Sequence, residues 1–242
     1  MRKLRFYYQT ELKNHQEITI GEKQLHHIKH VLRLKVNDII ELFDSNSNIA
    51  TAKISNIGRN KLYAIITDIK HCPTKSNLTT HIGQVIAKST AMDFIVQKAT
   101  ELGVTEITPL VGERTNLRKD LEKLADKRQH WENIAISACA QSYRNDIPTI
   151  HYPIGIDDWL SLNLDGQKII LNPDAEVSSK GLPENSNFTM LFGAEGGLSD
   201  REINLAIHHG FSPINLGPRV LRVETASLAV LSILQYNFGD LK

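Results

Sequence analysis

Short stretches rich in β-branched residues, partly alternating between apolar and polar side chains, dominate residues 1–72 and predict four strands. The predicted strands cover residues 17–20, 38–43, 49–57 and 61–69. Between the first two, apolar residues recur three to four positions apart, at Leu25, Ile28, Val31 and Leu32, and predict a helix over residues 24–34. The pattern is typical of a small β-barrel with one helix.

A polar stretch that begins with proline, residues 73–80, is interpreted as a linker to a second part with a different pattern of apolar and polar residues. There, predicted strands alternate with predicted helices. The strands cover residues 82–87, 106–111, 168–171, 188–192 and 213–216, and the helices cover 91–102, 117–141, 200–209 and 224–238. Ser199 and Glu202 form a capping-box pattern, and Gly103 and Gly210 end two helices. The alternation predicts a parallel α/β sheet over residues 81–242, with helices on both faces.

The composition is ordinary for a soluble globular protein, with 41% hydrophobic and 23% charged residues. The sequence has no apolar run long enough to cross a membrane and no secretory signal at its start, so a cytoplasmic location is expected. The two cysteines, Cys72 and Cys139, provide neither a disulfide framework nor a Cys-x-x-Cys zinc motif.

The charge is unevenly distributed, although the net charge is only +1. Residues 1–72 carry 12 Lys and Arg against 7 Asp and Glu, a net charge of +5, whereas residues 73–242 carry 16 against 20, a net charge of −4. A basic N-terminal part indicates a module that binds a polyanion. A solvated surface without a specific partner explains so small an excess equally well.

Ligands of an open parallel sheet bind beyond the carboxyl ends of its strands, and three predicted strand ends carry unusual loops. Residues 193–199 read Gly-Ala-Glu-Gly-Gly-Leu-Ser, where the glycines allow either close approach to a ligand or a tight structural turn. Residues 217–227 bring Arg219 and Arg222 beside Glu224, as a clamp for phosphate or as a salt bridge that pins the loop. Residues 172–176 form a polar loop that could close over a ligand.

Six motifs follow one another along nearly the whole chain. They are His-His-Ile-Lys-His-Val-Leu-Arg at 26–33, Lys-Ala-Thr-Glu-Leu-Gly at 98–103, Glu-Arg-Thr at 113–115, Gln-Ser-Tyr-Arg at 141–144, Phe-Gly-Ala-Glu-Gly-Gly-Leu-Ser at 192–199, and Leu-Gly-Pro-Arg-Val-Leu-Arg-Val-Glu-Thr-Ala at 216–226. In this order they resemble the RsmE family, the bacterial 16S ribosomal RNA (uracil-N3) methyltransferases of the SPOUT superfamily.

The resemblance implies a PUA-like RNA-binding β-barrel domain over residues 1–72, the linker, and a SPOUT methyltransferase domain with a trefoil knot over residues 81–242. It implies S-adenosylmethionine as cofactor, a homodimer, and 16S ribosomal RNA, within the 30S subunit, as partner. The family's target is N3 of uridine 1498. The cofactor-binding residues implied for this chain are Leu171, Asn172, Pro173, Phe192, Gly193, Ala194, Glu195, Gly196, Gly197, Leu216, Gly217, Leu221, Thr225 and Ala226.

The chemistry of the acceptor suggests further residues. N3 of uracil carries a weakly acidic proton, so an enzyme must remove this proton or stabilise the resulting anion. The candidates are Arg114, Arg144, Arg222 and Glu224. An arginine stabilises an anion but is a poor base, and Glu224 either acts as the base or orients Arg222. Because N3 lies on the Watson–Crick edge, the target uridine is expected to be unpaired or flipped out.

Basic residues of the first part are the candidates for contact with the RNA backbone. They are Arg2, Lys3, Arg5, Lys29, Arg33, Lys35 and Arg59. His26 and His30 are spaced to face a metal, but RNA contact or plain surface is the favoured interpretation, and no metal is expected. No membrane contact is expected either.

The chain departs from the family pattern at four positions: Ala140, Tyr143, Ala194 and Val223. Ala140 stands where the family commonly has Glu, which weakens the hypothesis of a catalytic base there. Two other functions stay open. One is a related methyltransferase that modifies another RNA position, and the other is a ribosome-assembly factor that binds RNA without catalysis.

Overall fold

The structure is a computed structural model that describes residues 4–21, 34–115, 121–173, 175 and 184–241. It divides into two compact units. Met1–Lys75 and Cys139–Asp146 form the first unit, and Ser76–Ala138 and Ile147–Lys242 form the second. Except for Leu34, the helix predicted over residues 24–34 lies outside the described residues.

The first unit contains a five-stranded sheet with strand order β1-β3-β4-β5-β2. Its strands are β1 (Arg5–Tyr7), β2 (Glu17–Ile20), β3 (Ile39–Phe43), β4 (Asn48–Ile57) and β5 (Leu62–His71). Strands β3, β4, β5 and β2 pair antiparallel, whereas β1 lies parallel to β3. Alternate residues of β5, including Leu62, Ala64 and Ile66, are fully buried. The four predicted strands are confirmed, and β1 was missed because three residues are too few to show alternation.

The second unit contains a sheet of seven strands, and every pairing in it is parallel. Its strands are β6 (Thr79–Val85), β7 (Glu106–Val111), β8 (Thr149–Ile150), β9 (Ile154–Gly155), β10 (Gln167–Leu171), β11 (Asn187–Phe192) and β12 (Ser212–Ile214). The order is β12-β10-β11-β6-β7-β8, with β9 also paired to β7. The predicted parallel α/β sheet is therefore confirmed. Thr79 and Thr80, the last two residues of the predicted linker, already pair with β11.

Helices cover both faces of this sheet, as predicted. They are α1 (Ser89–Glu101), α2 (Leu121–Ser142), α3 (Ile156–Leu160), α4 (Asp200–His208) and α5 (Val223–Phe238). One apolar cluster joins alternate strand residues to α1, α2 and α5 through side chains such as Met92, Trp131 and Leu231. The other joins the opposite strand residues to α3 and α4 through Trp159 and Ala206. The five-residue helix α3 was not predicted, since it is too short for a helical period.

Local signals at the ends of helices are confirmed. The Ser199 side chain accepts a hydrogen bond from the backbone N–H of Glu202, and the Glu202 side chain accepts one from Ser199, which completes the capping box of α4. Gly103 and Gly210 follow α1 and α4 with φ of +86°, the left-handed conformation that ends helices. None of the helices formed by the described residues is long and apolar enough to cross a membrane. The trefoil knot stays a prediction.

Candidate functional site

A cavity of about 820 Å³ opens at the carboxyl ends of the central strands of the second unit. The segments that follow β6, β7, β10 and β11 form its walls, together with the first turn of α5. This is the edge at which parallel sheets bind ligands. The cavity is therefore the candidate functional site.

Ten of the fourteen predicted cofactor residues line this cavity. They are Leu171, Asn172, Pro173, Phe192, Gly193, Ala194, Glu195, Gly197, Leu221 and Ala226. Gly196, Leu216, Gly217 and Thr225 are not among the lining residues. The structure thus brings together the three loops that the sequence singled out, although their cofactor role stays a prediction.

The glycine-rich loop after β11 folds into a tight turn. The backbone N–H of Gly197 donates to the carbonyl oxygen of Ala194 at 2.9 Å, and Gly197 has φ of +68°. A Cβ on Gly193 would lie 2.8 Å from the carbonyl carbon of Gly197 and 2.9 Å from the backbone nitrogen of Leu198. The side-chain amide of Gln84, fully buried in β6, donates to the carbonyl oxygen of Gly193 at 3.0 Å. The tight structural turn is therefore confirmed, and it forms a wall of the cavity, while its contact with a ligand stays a prediction.

The segment after β7 places one predicted catalytic residue at the cavity. The Arg114 guanidinium donates to the carbonyl oxygen of Gly196, so this arginine packs along the glycine-rich loop. The preceding residue, Glu113, donates its backbone N–H to the Glu202 carboxylate at 2.8 Å. The same carboxylate accepts the backbone N–H of Ser199 at 2.7 Å, and Glu202 is only 1% exposed. One buried side chain of α4 thus holds two of the segments that build the site.

Charged side chains around α4 reinforce this arrangement. Arg201 donates to the Glu113 carboxylate and, at 3.0 Å through each of two nitrogens, to Asp157 at the start of α3. Hydrogen bonds from the Ser199 side chain and from Arg201 lower the pKa of Glu113 below its usual value. The lowered pKa makes the Glu113 carboxylate a weaker proton acceptor than an ordinary glutamate.

The segment after β6 also lines the cavity, although the sequence did not predict it as part of the site. Lys88, Thr90 and Ala91 contribute to the wall, and the backbone N–H of Lys88 donates to the Glu195 carboxylate at 3.0 Å. The sequence did contain a signal for this segment, because Lys88 directly follows the strand predicted over residues 82–87, at the same edge of the sheet. Asp200 and Ile203 of α4, which also line the cavity, lacked such a signal, since a helix surface is not a strand end.

Two more predicted catalytic residues, Arg222 and Glu224, lie at the cavity on the segment that leads into α5. Arg222 is the N-cap residue of α5 and is exposed. Arg219 is exposed too, but it does not line the cavity. Within the part of the chain that the structure describes, neither arginine forms an ion pair with Glu224. The salt bridge considered as an alternative is therefore not formed there.

Arg144, the fourth predicted catalytic residue, belongs to the first unit and does not line the cavity. It is 8% exposed, and its guanidinium donates to the Asp146 carboxylate at 2.7 and 2.9 Å. Its neighbour Tyr143 adopts φ of +63°, a conformation that disfavours bulky side chains. The structure thus shows a structural role for Arg144, while its catalytic role stays a prediction.

The basic residues predicted to contact RNA fall into three groups. Lys35 and Arg59 are exposed on the first unit, as such contacts require. Arg5 is 8% exposed, forms an ion pair with Glu41, donates to Asn145 and stacks over Phe43. Its guanidinium is used inside the unit, so the predicted backbone contact for Arg5 does not fit its position. The remaining candidates lie outside the described residues: Arg2, Lys3, Lys29 and Arg33.

Comparisons with known proteins find relatives of this chain over nearly its whole length. A family model described as an RNA methyltransferase domain matches residues 74–235, and one described as an RNA methyltransferase PUA domain matches residues 20–67. The chain is 41% identical over 239 residues to the ribosomal RNA small subunit methyltransferase E of Buchnera aphidicola subsp. Schizaphis graminum, covering 98% of this chain and 97% of that protein.

Two solved structures extend the comparison. A methyltransferase from Legionella pneumophila, in complex with bound S-adenosylmethionine, superimposes with a TM-score of 0.96 at 36% identity. The ribosomal RNA small subunit methyltransferase E of Neisseria gonorrhoeae, bound to S-adenosylmethionine, does so with a TM-score of 0.91 at 30% identity. Each comparison covers 100% of both chains.

Proposed function

Because this chain belongs to the RNA methyltransferase family that includes the ribosomal RNA small subunit methyltransferases E, we propose that it methylates N3 of a single uridine in 16S ribosomal RNA. It is an S-adenosylmethionine-dependent methyltransferase of small-subunit ribosomal RNA. What we propose beyond this is the methylated atom, N3, and the nucleotide, which is uridine 1498 in the family. The cavity at the carboxyl edge of the parallel sheet supports a methyl-transfer site, and membership of the family supports N3 of uridine as the acceptor.

The residues of the cavity fit the cofactor. A volume of about 820 Å³ lies within the range of small-molecule sites, which is roughly 300–1,000 Å³. Leu171, Phe192 and Ala226 offer apolar surface for an adenine ring, and the glycine-rich loop offers backbone groups that a Cβ on Gly193 would obstruct. When bound, S-adenosylmethionine supplies an electrophilic methyl group on a sulfonium. The chain must then align the acceptor and exclude water.

Handling of the uracil proton falls to the charged residues of the cavity. Arg114 and Arg222 approach it from different loops and can stabilise negative charge as N3 loses its proton. Glu224 is half-buried, lines the cavity together with Arg222, and either accepts that proton or orients the arginine. Arg144 remains a candidate only if it exchanges its Asp146 partner for substrate.

The first unit supports the choice of an RNA substrate. Residues 1–72 carry a net charge of +5, and a PUA model matches residues 20–67. Exposed Lys35 and Arg59 supply positive charge for contact with phosphates. On the same family basis we infer that the chain acts as a homodimer on the 30S subunit in the cytoplasm, and that its sheet closes into the trefoil knot.

The test incubates a 30S subunit that lacks the modification with the protein and S-adenosylmethionine, followed by mass spectrometry of 16S ribosomal RNA nucleosides. We expect N3-methyluridine at one position. Arg222→Ala should lower its rate of formation about 10²-fold, the usual cost of one anion-stabilising donor. Arg219→Ala is the matched control, because this arginine shares the loop but does not line the cavity, and it should leave the rate unchanged.

Two results would contradict the proposal. A different methylated nucleoside, such as a 2′-O-methylated one, would move the enzyme to another RNA position. No methylated nucleoside, from a protein that binds the subunit, would favour the assembly-factor function instead.

A further inference from the structure

Three side chains of metal-binding type meet at the edge of the second unit's sheet opposite to the cavity. His81 of β6 and Glu106 of β7 are register partners near the start of these parallel strands, and His151 follows β8, which pairs with β7. One ligand atom of each residue lies within 4.8 Å of the corresponding atoms of the other two. The catalytic proposal uses none of them.

Neighbouring groups hold the two imidazole rings in place. His151 Nε2 lies 2.7 Å from Glu106 Oε2. His81 Nε2 lies 2.7 Å from the Thr108 hydroxyl, and the edge of the Trp159 ring packs against the His81 ring at 5.6 Å between centroids. The Thr108 hydroxyl thus orients His81 and leaves its Nδ1 for an ion. The contact between His151 and Glu106 joins two of the clustered side chains, and bonds to an ion would replace it.

We propose that His81, Glu106 and His151 form a site for one divalent transition-metal ion of the zinc type. Two imidazoles and one carboxylate are a donor set that zinc accepts, with water in the fourth position. Metal–ligand distances of about 2.0–2.2 Å place tetrahedral ligand atoms ~3.3 Å apart, so small side-chain rotations from the present spacing are sufficient. The Glu106 and His151 side chains are 36% and 40% exposed, which gives a hydrated ion access.

The sequence did not indicate this site, since no metal was expected. The three ligands are far apart along the chain and match no short spacing motif. Only the parallel register of β6, β7 and β8 brings them together. The bound ion would join three neighbouring segments at one edge of the sheet and stabilise the folded state by mass action.

The test uses the full-length protein without an affinity tag, stripped with a chelator and dialysed. Cobalt(II) serves as the probe, because its visible absorption reports tetrahedral coordination, and zinc is then added as competitor. We expect one equivalent of cobalt to bind and zinc to displace it. Glu106→Gln and His151→Gln should each weaken binding at least ~10-fold. These variants are preferred over changes at His81, which packs against Trp159.

His208→Gln is the matched control, because His208 is an exposed histidine of the same unit that does not belong to the cluster, and it should leave binding unchanged. Circular dichroism melting of each variant checks that it folds. The proposal is overturned if folded wild-type protein binds no cobalt at millimolar concentration. It is also overturned if both ligand variants keep full affinity, or if His26→Gln with His30→Gln alone removes binding.

Discussion

Replacement of Glu202 by glutamine tests whether one buried carboxylate holds the walls of the cavity. The Glu202 carboxylate accepts the backbone N–H groups of Glu113 at 2.8 Å and of Ser199 at 2.7 Å. Glutamine keeps one acceptor oxygen and replaces the other with a donor. One of the two N–H groups then loses its partner in a site that is 1% exposed.

The expected cost follows from the penalty for a buried donor without an acceptor, which is about 1–3 kcal/mol. For a protein of this size about 1 kcal/mol corresponds to ~2–4 °C, so Glu202→Gln should lower Tm by about 2–12 °C. Thermal melting followed by circular dichroism measures this shift. Glu184→Gln is the matched control, since Glu184 is an exposed glutamate of the same unit, and it should cost no more than ~0.5 kcal/mol.

The same variant should also weaken binding of S-adenosylmethionine, because Glu202 ties the segment that carries Arg114 to the start of α4. Isothermal titration calorimetry of wild type and both variants, well below their melting temperatures, separates this effect from stability. A Tm within about 1 °C of wild type would refute the reasoning on the buried hydrogen bonds. A lower Tm with unchanged affinity would refute the role of Glu202 in shaping the cavity.

Three further changes test other parts of the structure. Gly193→Ala should weaken S-adenosylmethionine binding at least tenfold, because the new Cβ would lie 2.8 Å from the backbone of the same turn. Gly21→Ala is the control, because its Cβ would meet no atom within 4 Å, and isothermal titration calorimetry compares the two affinities. Iodoacetamide at pH 8 should label the native protein once, at the exposed Cys72. Burial raises the pKa of Cys139 to about 12, and only the thiolate reacts, so two adducts in the intact-mass spectrum would contradict this expectation. Gln235→Leu should lower the unfolding free energy of the second unit by about 1–3 kcal/mol, because the buried side-chain oxygen of Gln235 accepts a hydrogen bond from the Ser76 hydroxyl. Urea unfolding measures this loss, and an unchanged midpoint would show that the bond contributes nothing.

Local hydrophobic periodicity, together with the residues that begin and end helices and strands, was sufficient to predict most elements of the fold. Strands such as β7, over Glu106–Val111, were predicted to the residue, because a buried parallel strand is a short apolar run between breaks. The capping box at Ser199 was equally readable, since both of its hydrogen bonds join residues three positions apart. The elements that were missed, β1, β8, β9 and α3, have two to five residues each, too few to show a period.

The sequence by itself also determined which strand ends carry the candidate site. The loops after β10, β11 and β12 were placed together because the carboxyl ends of parallel strands share one edge, a rule that needs only the alternation of strands and helices. The individual cofactor residues in these loops came from the resemblance to the family. The ordered motifs determined the family. These inferences rest on short-range patterns and on a general rule of sheet topology, and both can be applied to the sequence without knowledge of the tertiary contacts.

Tertiary structure alone decided the rest, because burial and partners depend on residues distant in sequence. Arg5 was read as a contact for RNA from its charge, but the fold buries it against Glu41 and Asn145. Glu202 was recognised only as a helix cap, yet its second hydrogen bond, to Glu113, spans 89 positions. The meeting of His81, Glu106 and His151 likewise required the register of three strands, since no spacing in the sequence specifies which strands are neighbours.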